Sequence, residues 1–264
     1  MAIVFITVSG EAQKAFANAL HEKTGGGVSL VIVQKPKRLS LWSRLMRFYA
    51  VTGWRNFLKE CWYGILLRFS SQTRRALGYF HEHSGAMHRG PQFLPPVREV
   101  ESINSDETYA LLKDCSPSLL ILWGGAVLKP HILKTAPRAI NLHMGFAPHY
   151  RGAIANQFAV LRGDHSRIGA TIHYAEEKVD AGKILAVISA DASRPPRELF
   201  RDLNDRAHAR YLEIAEGLFR GEDLPATAQD ISRGELFRLR DWNRETRYKL
   251  GKKMLQWERL NRSK

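Results

Sequence analysis

Asn141-Leu142-His143 closes an apolar run and is followed at once by MGFAPHYRGA, a loop of glycine, proline and arginine. Residues two apart on an extended strand point to the same side, so the amide and the imidazole share one face. Asp180 comes 37 residues after His143, in the return segment EEKVDAGK between two further apolar runs. A helix and a strand fit between them, enough chain to bring the carboxylate back to the same end of a sheet. An amide, an imidazole and a carboxylate suit acyl chemistry at an amine. The amide donates to a developing oxyanion, the imidazole stabilises it or moves a proton, and the carboxylate orients the imidazole or a water. No serine or cysteine nucleophile stands in this stretch, which favours direct transfer over a covalent intermediate. Spacing alone supports an α/β enzyme and leaves its reaction open.

Other polar residues carry less. His81 and His83, with His88 nearby, have no carboxylate or cysteine beside them to complete a ligand set, so they read as solvated histidines and no metal is expected. His149 and Arg151 suit either contact with a ligand or plain loop exposure, and His173 is expected on a strand facing the rim of the site. Gly25-Gly26-Gly27 precedes a strand instead of opening a helix, which makes it a turn and not a phosphate cradle.

The elements that must position these groups alternate in type. IVFITV (3–8), VSLVIVQ (28–34), SLLILWG (118–124) and AINLH (139–143) are short β-branched or apolar runs of the kind buried on both faces of a parallel sheet. Helical patterns lie between them, near residues 11–21, 106–115 and 130–133, and others follow near 153–162 and 196–220. IGATIHYA and ILAVISA read as two more strands. The alternation predicts an α/β fold with an open, doubly wound, mostly parallel sheet, whose ligands sit beyond the carboxyl ends of the strands. His143 is at such an end.

The chain has 264 residues, 44% of them hydrophobic, enough for one domain with an appendage. Two cysteines far apart, Cys61 and Cys115, exclude a disulfide framework and fit a reducing cytoplasm. The opening MAIVFITVSG lacks the features of a signal peptide, and no apolar run reaches the ~20 residues of a membrane span. The formal charge of +14 is concentrated: residues 35–95 hold 11 Lys/Arg against 2 acidic residues, and residues 233–264 hold 11 against 4. The expected division is therefore a catalytic unit over 1–220, a basic helical insert at about 35–95, and a basic extension over 221–264. In the insert, Trp54, Phe57, Leu58, Cys61, Trp62, Ile65 and Phe69 recur at helical spacing, with Arg55, Lys59 and Arg68 elsewhere. A helical hairpin with Trp54, Trp62 and Phe69 packed inward is expected. The alternatives are a lid over an acceptor site, in which Arg44, Arg47 and Arg55 would act, or a face that lies on an anionic membrane.

The wording of the motifs goes beyond their spacing. INLHMGFAPHYRGA, then IGATIH and VDAGKIL, resembles the formyltransferases that use 10-formyltetrahydrofolate, a family that includes glycinamide ribonucleotide, methionyl-tRNA and sugar N-formyltransferases. Its ordered signature falls on Asn141 and His143, on Pro148, Tyr150, Arg151 and Gly152, on Gly169 and Thr171, and on Asp180 and Gly182. LWGGAVLKP (122–130) is similar to the family's strand-end loop against the folate pterin. The resemblance covers 118–190 well and the opening elements loosely. It implies a Rossmann-like formyltransferase fold, with Asn141, His143 and Asp180 as catalytic residues. Trp123, Gly124, Gly125, Val127, Glu177, Val179 and Asp180 would hold the folate, and His149, Tyr150, Arg151 and Gly152 are candidates to touch the acceptor. Two departures stand out. Met144-Gly145 replaces the family's usual Pro-Ser, removing a hydroxyl, and only Gly10 follows the first strand, where the glycinamide ribonucleotide enzyme has a Gly/Ser-rich loop.

The resemblance thus implies transfer of a formyl group from 10-formyltetrahydrofolate, with no metal, to the primary amine of a small acceptor. An amino sugar on a phosphorylated or nucleotide handle is the preferred acceptor. A methionyl-tRNA-type enzyme is the alternative, although that type carries a C-terminal barrel for which the residues after Arg220 are too few, so nucleic acid is not the expected partner. The remaining alternative is a non-catalytic, folate-binding or membrane-surface relative. The expected location is cytoplasmic, with peripheral contact at the inner membrane face left open through the insert.

Overall fold

The computed structural model describes residues 1–36, 40–84 and 92–262, without the side chains of residues 41, 43–48, 50–53, 55 and 262. In chain order the elements are β1 (Ile3–Val8), α1 (Glu11–Lys23), β2 (Val28–Gln34), α2 (Leu41–Phe69), α3 (Ser71–Gly78), β3 (Val97–Val100), α4 (Asp106–Cys115), β4 (Leu119–Trp123) and α5 (Pro130–Leu133). There follow β5 (Ala139–His143), β6 (Tyr150–Gly152), α6 (Ala155–Arg162), β7 (Gly169–Tyr174), β8 (Ile184–Ser189), α7 (Pro196–Phe219), β9 (Glu235–Phe237) and α8 (Arg244–Arg262).

Seven strands form one sheet in the order β3-β2-β1-β4-β5-β7-β8. The first five run parallel, while β5–β7 and β7–β8 are antiparallel. Chain order reverses between β1 and β4, the kind of crevice at which open α/β sheets take ligands. Both faces are covered, as continuous apolar strands require. Ile3 and Phe5 of β1 enter a large core with Phe16 of α1 and Phe200 and Tyr211 of α7. Val4 and Ile6 enter a smaller one with Leu112 of α4 and Ile132 of α5.

The stretch after residue 220 contributes to the same core. β9 pairs with β6 in a separate two-stranded sheet, and Leu250, Met254 and Trp257 of α8 are buried in the large cluster. The insert differs from the expected hairpin. α2 is a single helix of 29 residues, followed by the short α3 and a 3-10 turn at Tyr79–His81. Trp54, Trp62 and Phe69 do not pack inward but stand exposed. Helical spacing located the face correctly, yet spacing alone does not say what a face meets. The side face of α2 rests on α8, where Tyr63 meets Tyr248 at 5.7 Å and Lys59 and Glu60 engage Glu245 and the Arg244 backbone. Among the described residues, no helix is long and apolar enough to cross a membrane.

Candidate active site

β5 supplies Asn141 and His143 because its register alternates. Ile140 and Leu142 fill the large core, which turns the odd-numbered side chains the other way. The antiparallel partner β7 sets Asn141 opposite His173 and His143 opposite Thr171. The return loop after β7 brings in Asp180, whose φ of 47° lies in the left-handed region that Asp tolerates better than most residues.

These groups converge on the Asp180 carboxylate. Its Oδ2 accepts from the Gly152 N–H at 2.8 Å and faces His143 Nδ1 at 3.3 Å. Its Oδ1 accepts from Asn141 Nδ2 at 3.3 Å and faces His173 Nε2, also at 3.3 Å. Burial by itself would raise the carboxyl pKa. The charge of His143, the hydrogen bond and charge of His173, and the Gly152 N–H together outweigh it and hold Asp180 well below the carboxylate range. His143 and His173 are 6% and 2% exposed, so the set is a floor and not the rim that the sequence reading expects. His143 Nε2 lies 2.9 Å from the Tyr150 carbonyl, and both ring nitrogens therefore face acceptors. His173 completes the cluster, and strand spacing had placed it only at the rim. The signal that identifies it is the β5–β7 register, which needs the pairing and not the sequence alone.

The glycine-rich loop is fastened around this floor. The Thr171 hydroxyl donates to the Gly145 carbonyl at 2.8 Å and accepts from the Ala147 N–H at 3.1 Å. The Ala147–Pro148 peptide is cis. Gly145, where the family has a hydroxyl residue, is crowded by the His143 ring and the Ala155 methyl, which occupy the space of any Cβ. Gly152, at φ 94°, turns its N–H onto Asp180. Asn156 brackets Gly169, its Nδ2 donating to the Gly169 carbonyl and its Oδ1 accepting the Gly169 N–H.

Tyr211 of α7 holds the floor from beneath. Its hydroxyl sits between β4 and β5, accepting from the Leu122 N–H at 3.1 Å, with the Leu122 and Ile140 carbonyls at 2.8 and 3.0 Å. Burial pushes this phenol far up, so it stays a neutral hydrogen-bonding group.

Above the floor lies a cavity of about 680 Å³. Asn141, His143, His173 and Asp180 line it together with Trp123, Gly124, Gly125 and Val127 on one loop and Val179 on the other; Glu176 lines it where Glu177 was expected. Gly152 is at its edge, whereas three of the acceptor candidates turn elsewhere. His149 is hydrogen-bonded to the Arg233 carbonyl at 3.0 Å. The Tyr150 hydroxyl donates to Asp164, and Arg151 donates to the Val179 carbonyl. The far wall holds residues that spacing did not single out. Trp123 and His83 both pack on His208, at 4.2 and 5.0 Å between ring centres. His83 is thus half-buried wall, not a solvated loop histidine; His88 lies outside the described residues. Burial, with the like charge of His83, pushes the His208 imidazole down to about 3. The described lining contains Glu11, Glu176 and Asp180 but neither lysine nor arginine. No group of histidine, cysteine and carboxylate side chains among the described residues is arranged to hold a metal ion.

Residues 1–214, which hold the whole cluster, match the family model described as formyl transferase. The chain belongs to the formyl transferase family. Among its relatives, a methionyl-tRNA formyltransferase from Desulfotalea psychrophila is 34% identical over 139 residues, covering 51% of this chain and 42% of that protein. The matched stretch is therefore less than half of that relative. Two solved structures share the fold. The N-formyltransferase from Helicobacter canadensis, crystallised with folinic acid and dTDP-3-aminofucose, covers 94% of this chain and 79% of its own, with a TM-score of 0.54 at 12% identity. A phosphoribosylglycinamide formyltransferase from Bacillus halodurans covers 83% of this chain and 97% of its own, with a TM-score of 0.52 at 20% identity.

Proposed function

We propose that this formyl transferase family member moves the formyl group of 10-formyltetrahydrofolate to the primary amine of a small acceptor, a sugar amine foremost. The observation that carries the reading is the Asp180 carboxylate, enclosed by His143, His173, Asn141 and the Gly152 N–H on the floor of a cavity of about 680 Å³. The folate fits between the loops at 123–127 and 176–180, its formyl carbon above the floor. The amine nitrogen attacks that carbon, and negative charge develops on the formyl oxygen. An N–H of His143 or Asn141, turned from Asp180 toward the cavity, stabilises that charge. So depressed a carboxylate is a weak base; Asp180 instead holds the two imidazoles in place and stabilises positive charge on them. The proton lost by the amine leaves through a ring nitrogen or water, and N10 of the folate departs protonated.

Several features favour a hydroxylated amine in the cavity. The described lining offers carboxylates, amides and neutral His208, with no lysine or arginine to hold a phosphate there. A phosphorylated or nucleotide handle would extend outside, toward the basic insert. The neighbour from Helicobacter canadensis was crystallised with dTDP-3-aminofucose, a molecule of that shape. The test is release of tetrahydrofolate from 10-formyltetrahydrofolate with a panel of amines: nucleotide-linked amino sugars, glycinamide ribonucleotide and methionyl-tRNA. Turnover with an amino sugar that is lost in Asp180→Ala supports the reading. Turnover confined to methionyl-tRNA overturns the acceptor, and failure of 5-formyltetrahydrofolate to raise the melting temperature at saturation overturns the donor.

A further inference from the structure

The exposed face of α2 is ordered into one stripe. Leu58, Trp62, Ile65 and Phe69 follow one another at spacings of four, three and four, which places them on one side of a helix. They are 57, 60, 50 and 81% exposed. The orientation is fixed from the opposite side, where Leu67 is buried and Tyr63 and Glu60 engage α8. α2 is thus apolar on two sides, one seated on the protein and one open. Scattered apolar side chains on a surface need no explanation, but a continuous aromatic and aliphatic stripe marks a contact.

Charge selects the partner. From Leu41 to Gly78 the chain carries seven Lys/Arg and a single acid, Glu60. Glu60 is taken by the Arg244 backbone and Lys59 by Glu245. That leaves a cationic border in which Arg68, Arg74 and Arg75 are exposed. A second copy of this chain would bring two molecules of charge +14 together, each with the same cationic border. An anionic lipid surface complements both features: its headgroup region accepts indole and phenyl rings, and its phosphates attract the arginines.

We propose that α2 docks in the plane of an anionic membrane, with Leu58, Trp62, Ile65 and Phe69 in the headgroup region and Arg68, Arg74 and Arg75 against lipid phosphates. Among the described residues no helix is long and apolar enough to cross the bilayer, so the docking is in its surface. The same insert continues into Phe80, His81 and His83, which line the cavity wall. Docking would therefore hold the cavity wall close to the membrane. The proposal rests on the surface and not on the identity of the acceptor.

The experiment is co-sedimentation of the full chain with phosphatidylcholine vesicles, with and without phosphatidylglycerol, at low and high salt. Binding is expected only with phosphatidylglycerol, accompanied by a blue shift of tryptophan emission and weakened by salt. The double variant Trp62→Glu with Phe69→Glu should partition about tenfold less or worse, with an unchanged melting temperature. Its formyl transfer to a soluble amine should also be unchanged. No binding to anionic vesicles at low salt overturns the proposal, as does equal binding to neutral vesicles. Binding that survives the double variant shows unspecific attraction to charge and overturns it too. A lipid-free dimer in sedimentation velocity, dispersed by Trp62→Glu, would give the face to a second copy instead.

Discussion

At the floor of the cavity, a carboxylate and two imidazoles lie inside the protein, whereas along α2 three tryptophans and a phenylalanine are exposed. Each region reverses the usual division of polar and apolar groups. The first is self-sufficient, because every oxygen of Asp180 meets a donor or a ring nitrogen within 3.3 Å. The second leaves Leu58, Trp62, Ile65 and Phe69 half or more exposed. Buried charge that is fully partnered points inward to chemistry, and exposed apolar surface that is ordered points outward to a partner.

The largest effects belong to the floor. Asn141→Ala, His143→Ala and Asp180→Ala should each lower the transfer rate by roughly two to four orders of magnitude, the range for an oxyanion donor or acid–base group. A rim position would leave folding untouched, but the observed burial does not. Asp180→Ala strips an acceptor from His143, His173 and the Gly152 N–H, and should cost about 3–5 kcal/mol in denaturant unfolding, as breaking buried ion pairs does. If Asp180→Ala unfolds like the parent and turns over at a near-native rate, the inward half of the comparison is wrong.

Tyr211 tests whether the strands beneath the floor are as tightly accounted for. Tyr211→Phe removes the hydroxyl oxygen that accepts from the buried Leu122 N–H. Leaving that donor unsatisfied should cost about 1–3 kcal/mol, measured by urea unfolding, with a smaller effect on rate than any floor substitution. A stability change near zero would mean that water or a shifted strand replaces the hydroxyl.

What the sequence made legible divides along the same line. β1, β2, β4 and β5 could be read from their apolar runs, and Asn141, His143 and Asp180 from residue type at strand ends and a return loop. β3, only four residues and partly exposed, carries no comparable pattern. β9 and α8 were hidden by their charge: the basic residues of the tail obscured Leu250, Met254 and Trp257, which recur at helical spacing and fill the core. His173 and Gly145 depend on proximity across strands and loops. His173 gains its place from the β5–β7 register, and Gly145 from the His143 ring beside it. For α2, periodicity gave the face but not its surroundings, which depend on α8 closing over the other side.

His208 offers a smaller, pH-dependent measure of the buried region. Its folded pKa, pushed down to about 3 by burial and His83, lies below the roughly 6.5 of an unfolded histidine. Between these values the unfolded chain binds the proton and the folded one does not, so stability falls as pH falls from about 6.5. The slope from this group alone is at most about 1.4 kcal/mol per pH unit. His208→Phe, which keeps the packing on Trp123, should flatten the unfolding free energy between those limits. An unchanged slope would show that His208 titrates in the open cavity. Asp180 has the same sign in a lower pH window: its depressed pKa contributes stability above the unfolded carboxyl value of roughly 3.9, and that stability is lost as pH falls from there through the folded value.

The smallest expected effect sharpens the other side of the comparison. Trp62 is 60% exposed, and its neighbours on the stripe are exposed with it. Trp62→Glu should therefore change the unfolding free energy by no more than about 0.5 kcal/mol, the usual range for surface substitutions. Leu67, buried on the seated side of the same helix, provides the contrast. Leu67→Glu places an unpaired charge at a buried position and should cost about 3 kcal/mol or more. The two substitutions share helix, chemistry and charge change, so their difference reports only which side is packed in solution. If Trp62→Glu proves as costly as Leu67→Glu in the absence of lipid, the stripe is already covered, by protein and not by membrane. A near-neutral Trp62→Glu that abolishes vesicle binding would separate folding from docking on one helix.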